Sequence, residues 1–184
     1  GIIGAGSWGI ALSVLLHNNG HNITVWSALA DEIEMLKREH EHKDKLSGVK
    51  LAEDVLFTTE LPDAVREKDI LVLAVPSSFT RATAHNMREY VADGQIIVNV
   101  AKGIEESTLM TLSQVIEQEI PQADVAVLSG PSHAEEVARG VPTTVVAASR
   151  SRAAAEFVQD TLMNPTLRIY VNDDVTGVEL GGAL

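Results

Sequence analysis

The chain contains no cysteine, which excludes both a disulfide framework and a thiolate metal site. Basic residues are scarce: 14 Lys and Arg stand against 26 Asp and Glu, a formal net charge of −12. A surface of that sign argues against general nucleic-acid binding. No apolar run reaches the roughly 18–20 residues that a membrane-spanning helix needs, and no signal-peptide pattern is read at the start. No membrane partner and a cytoplasmic location are therefore expected. Neither a G-x-S-x-G elbow nor a Walker loop occurs, which disfavours hydrolase chemistry.

What is present begins with Gly4-Ala5-Gly6-Ser7-Trp8-Gly9. It follows the apolar pair Ile2-Ile3 and leads into a helical pattern with Ala11, Leu12, Leu15 and Leu16 on one face. Asn18-Asn19-Gly20 supplies the stop. In a strand, turn and helix of this kind, Gly4 permits the tight turn, Gly6 lets a pyrophosphate approach the backbone, and Gly9 lets the helix pack on the strand. The helix N-terminus then offers free N–H groups to phosphate. A dinucleotide is the expected ligand.

The remaining sequence fits that start. Its 184 residues, 45% hydrophobic, suit one domain or one domain with the beginning of another. Strand-like runs at 23–26, 55–58, 70–75, 96–100, 125–128, 143–147 and 167–171 alternate with helical patterns at 8–18, 29–38, 80–90, 108–118 and 153–163. Several strands are apolar throughout, as strands covered on both faces are. The pattern predicts an α/β, Rossmann-like, doubly wound fold: a mostly parallel sheet with helices on both faces. Residues 1–172 read as the dinucleotide-binding domain and 173–184 as the start of a C-terminal helical substrate domain. Both ends read as cut, since Ile2-Ile3 is short for a strand of ~5–6 residues and Val178 to Leu184 reads as a helix stopped in mid-course.

Ligands of such sheets gather at the carboxyl ends of the strands. The second strand ends at Trp26 and is followed by Ser27-Ala28, with neither the carboxylate of many NAD sites nor an arginine for a 2′-phosphate. NAD and NADP both stay open. The polar stretch 37–50 carries the nearest cations, such as Lys37, Arg38, Lys43 and Lys45, and reads as a solvated helix end and loop. His40 and His42 point to different faces at their i, i+2 spacing, and no metal is predicted. Pro76 ends the fourth strand, Ser77 or Ser78 caps the next helix, and Phe79 is either a wall of the ligand groove or a buried loop aromatic. Lys102 stands at the tip of the fifth strand, where its ammonium could neutralise an anionic substrate. Ser129 to Glu136 form a turn and helix start at the next strand end.

The order of Gly4 to Gly9, then Ala101-Lys102-Gly103-Ile104-Glu105, then Leu128 to Val137 (LSGPSHAEEV), then Gly177 to Leu184 (GVELGGAL) resembles the bacterial NAD(P)-dependent glycerol-3-phosphate dehydrogenases. The resemblance runs through the whole chain. It implies cofactor contacts at Gly4, Gly6, Ser7, Trp8, Gly9, Phe79, Lys102 and Ala134, and substrate contacts at Lys102, Gly130 and Ser132. It further implies hydride transfer between NAD or NADP and a small phosphorylated substrate, with sn-glycerol 3-phosphate and dihydroxyacetone phosphate interconverted to supply phospholipid synthesis. No catalytic residue falls within the chain: the family's catalytic lysine is expected immediately after Leu184, so a chain ending there would turn over little. Apolar surface left by a missing second domain makes a homodimer an expectation as well. The alternatives are a two-domain dehydrogenase with another substrate and a non-catalytic dinucleotide-binding module.

Overall fold

The computed structural model describes residues 1–183; Leu184, the last residue of the predicted terminal helix, lies outside them. The chain begins β1 (Ile2–Ile3), α1 (Ser7–Asn18), β2 (Thr24–Trp26), α2 (Ala30–Glu39), β3 (Leu56–Thr58), α3 (Leu61–Val65) and β4 (Ile70–Leu73). It continues α4 (Thr80–Met87), β5 (Ile96–Asn99), α5 (Leu112–Glu119), β6 (Asp124–Ser129) and α6 (Ala134–Ala138). The last part is β7 (Thr143–Ser149), α7 (Arg152–Leu162), β8 (Leu167–Asn172) and α8 (Val175–Ala183). All strands join one sheet in the order β3-β2-β1-β4-β5-β6-β7-β8. Every neighbouring pair is parallel except β6 and β7. The α/β, mostly parallel, doubly wound architecture expected from the alternation is present.

Alternate residues of the central strands feed opposite faces. Ile2, Val72, Val98 and Ala126 pack with α1, α2 and α7 on one side. Ile3, Leu71, Leu73, Ile97 and Val125 pack with α3, α4 and α5 on the other. This is why the strands are apolar without alternation: neither face meets water. Strand order reverses between β1 and β4, which opens the crevice of a doubly wound sheet at their carboxyl ends.

Several local expectations are corrected. Helix α5 starts at Leu112, not 108, because Ile104 and Thr111 pair as an antiparallel bridge and Leu109 adopts φ 59°. Thr111 and Gln114 then close a reciprocal capping box. Ser77 and Ser78 do not cap α4; with Phe79 they form a 3₁₀ turn that runs into the helix without a side-chain cap. The polar stretch is not simply solvated: His42 and Glu41 are buried. Glu41 accepts bonds from the Gly48 amide and the Lys50 ammonium, both at 2.8 Å, and Glu41 and Lys50 form an antiparallel bridge. Short α3 had no periodic signal, although Pro62 at its first turn marks a helix start.

Helix α8 packs on β6 and β7. Its Glu179 is buried and accepts from the amide (2.9 Å) and hydroxyl of Ser113, in the first turn of α5. A carboxylate thus satisfies donors that the helix start leaves open. Replacing Glu179 with Ala strands both donors and should cost about 1–3 kcal/mol, read as a lower urea midpoint at unchanged slope.

Candidate functional site

The turn between β1 and α1 is built from backbone crowding. A Cβ on Gly4 (φ +119°) would sit 2.7 Å from the Ala74 carbonyl oxygen, and one on Gly9 would sit 2.1 Å from that of Gly4. Gly6 differs: a Cβ there meets no protein atom within 4 Å. Its open side is cavity rather than protein. Helix α1 has no side-chain cap and no acidic residue in its first turn, and its first backbone bond runs from the Ile10 amide to the Gly6 carbonyl at 2.9 Å. The N–H groups before Ile10 and the positive end of the helix therefore remain open to an anion.

That turn forms one side of a cavity of about 810 Å³ at the carboxyl ends of β1, β2, β4 and β5. Gly4, Gly6, Ser7, Trp8, Phe79, Lys102, Ser132 and Ala134 all line it. Gly9 does not, since it packs behind the turn. Phe79 is exposed (60%), so the alternative of a buried loop aromatic does not hold. Gly130 lines a neighbouring cavity of about 330 Å³ together with Ser129 and the glycine-rich side of α8, at Gly177, Gly181 and Gly182. Lys102 borders both cavities, and its ammonium donates to the Gly130 carbonyl at 3.0 Å. Two further N–H donors of that group are available to an anion.

The loop that carries Lys102 is clamped from α4. Arg81 makes a two-pronged bond to Glu105, both arms 2.8 Å, and reaches Glu119 of α5 at 2.6 Å. The Arg81 guanidinium, followed by the Thr108 hydroxyl, holds the Glu105 carboxyl at about 2 instead of its ordinary 4.5. His85 and Arg81 keep Glu119 below its usual range as well.

At the opposite end, Ser27, Ala28, Leu29, Glu32 and Lys45 line the cavity beyond β2. The absence of a carboxylate there, expected from Ser27-Ala28, is corrected. Glu32, one turn into α2, is buried and brings its carboxylate back to the Ser27 hydroxyl. His42 donates to it at 2.7 Å, and Lys45 pairs with the same oxygen. Burial alone raises the Glu32 pKa, but bonds from Lys45, Ser27 and His42 outweigh it and leave the net shift downward. Apolar spacing could not reveal this cluster. The one available signal was a glutamate on the otherwise buried Ile33–Leu36 side of α2.

Residues 1–155 match the family described as NAD-dependent glycerol-3-phosphate dehydrogenase N-terminus. The chain belongs to that family. It is 62% identical over its whole length to a glycerol-3-phosphate dehydrogenase [NAD(P)+] of Agathobacter rectalis, and 50% identical to one of Fusobacterium nucleatum. It spans about half of each relative, 55% of their length. The crystal structure of glycerol-3-phosphate dehydrogenase from Coxiella burnetii superposes with a TM-score of 0.93 at 30% identity, covering 98% of this chain and 55% of that one.

Arg81 and Glu105 brace the Lys102 loop through their ion pair, so acid should loosen it. The depressed Glu105 pKa means the ion pair contributes fully above about pH 4.5 and is lost as pH falls toward 2. The melting-temperature gap between the wild type and Glu105→Gln should therefore be open at pH 6 and narrow steadily as pH falls toward 2.

Proposed function

We propose that the larger cavity binds NAD or NADP and that, in the whole protein, this chain is the cofactor half of an oxidoreductase. The reaction is the interconversion of sn-glycerol 3-phosphate and dihydroxyacetone phosphate. One observation carries the cofactor assignment: a glycine turn open only at Gly6, in front of an uncapped helix, at the reversal point of a doubly wound sheet. The named activities of the relatives support the substrate. In this arrangement Gly4, Gly6, Ser7 and Trp8 receive the pyrophosphate, with Gly9 holding the turn in place. Phe79 and Ala134 border the remainder of the dinucleotide.

When bound, the nicotinamide supplies hydride exchange with carbon 2 of the substrate. The chain's part is position and charge. Lys102, steadied by the Gly130 carbonyl, orients the phosphorylated substrate at the junction of the cavities, with Gly130 and Ser132 beside it. Proton exchange with the substrate oxygen, worth about 10²–10⁴ in rate, falls to the lysine expected beyond Leu184. Residues 173–184 would lead into the helical domain that closes the pocket. The glycerol 3-phosphate formed would supply phospholipid synthesis in the cytoplasm, and a homodimer would cover apolar surface.

Gly6→Val provides the decisive test. A Cβ at this position has no close neighbour, so folding should be retained while NADH binding is lost in a fluorescence titration. Undiminished binding refutes the assigned turn. In the whole protein, Lys102→Ala should raise KM for dihydroxyacetone phosphate and lower kcat; unchanged kinetics would remove Lys102 from the site.

A further inference from the structure

The β2 end of the cavity carries a charge arrangement that bears on which dinucleotide it accepts, given the cofactor assignment above. Strand order sets this end far from Lys102: β2 and β5 are separated by β1 and β4. Among the described residues, the charged side chains lining it are Glu32 and Lys45. The Lys45 backbone amide donates to His42 Nδ1 at 3.2 Å, so Nε2 carries the ring proton and gives it to Glu32 at 2.7 Å. His42 is thereby neutral with both nitrogens engaged. Lys45, whose ammonium borders this end, already pairs with the Glu32 carboxylate. The local sum is one negative and one positive charge.

We infer that Glu32 makes this end of the cavity a receptor for an unphosphorylated ribose, so that the chain selects NAD over NADP. A ribose hydroxyl can donate to the carboxylate or to the Ser27 oxygen, neither of which needs an added cation. A 2′-phosphate would instead compete with Glu32 for Lys45 and face the carboxylate's own charge. No cation lies in Ser27-Ala28 to offset that repulsion. Glu32 is a specificity residue placed on a helix, reaching the position where other dinucleotide sites carry an acid at the strand end.

Fluorescence titrations of the protein with NADH and NADPH test this. The wild type should bind NADH more tightly. Glu32→Gln removes the charge and frees Lys45, so NADPH affinity should rise about ten- to hundredfold, the worth of one charged hydrogen bond, while NADH affinity falls because the ribose hydroxyl then meets a neutral acceptor. Lys45→Met, at a half-exposed position, should weaken NADPH further and spare NADH. Equal or tighter NADPH binding by the wild type would overturn the inference. So would an unchanged NADPH-to-NADH ratio in Lys45→Met or in folded Glu32→Gln. Failure of the wild type to bind either nucleotide would overturn the cofactor assignment as well, which separates the two.

Discussion

The passage of Gly9 directly behind the Gly4 carbonyl, with Gly4 pressed on Ala74, is the contact on which the site geometry depends. It draws α1, β1 and β4 closer together than any side chain would permit. Helix α1 consequently begins at the cavity edge with its uncapped N–H groups facing outward, and Gly6 is left bare on the open side. Adding a methyl group at Gly4 or Gly9 would push helix and strand apart, whereas one at Gly6 would only occupy ligand space. The same residue type thus serves opposite purposes within six positions.

The net charge of −12 opposes an anionic ligand on average, so the proposed phosphate site depends on local attraction. Here much of that attraction is backbone: helix N–H groups carry partial positive charge without a counter-ion. Side-chain cations are used sparingly and are mostly committed. Arg81 is held by Glu105 and Glu119, and Lys45 by Glu32, while Lys102 bonds only a neutral carbonyl. Lys102 is therefore the cavity cation with charge to spare, at the point where both cavities meet. Arg81 acts at a distance by restraining the loop that presents it.

Legibility in the sequence followed the range of the interactions involved. The glycine turn, the apolar strands and the order of elements depend on neighbours within a few residues or on burial of whole segments, and these appeared at their expected places. Helix α5 was misplaced by its start because Ile104 pairs with Thr111, an exchange between backbones that apolar spacing does not encode. The stretch 37–50 has the composition of a solvated run of charge, yet the chain folds His42 under Glu32, ten residues away. Polar residues that satisfy one another in the interior leave the same composition as polar residues that satisfy themselves in water.

By itself, the sequence determined a doubly wound α/β core, a glycine turn after the first strand, and a lysine at the tip of the fifth. Each is a consequence of local stereochemistry or of hydrophobic periodicity, which one-dimensional order records directly. Tertiary structure alone decided that Gly9 stays out of the cavity while Gly6 faces it, that Glu179 closes the start of α5, and that a carboxylate from α2 stands beside Ser27. Those outcomes rest on pairings between segments brought together by the sheet, where direction and distance in space, absent from the order of residues, determine which groups meet.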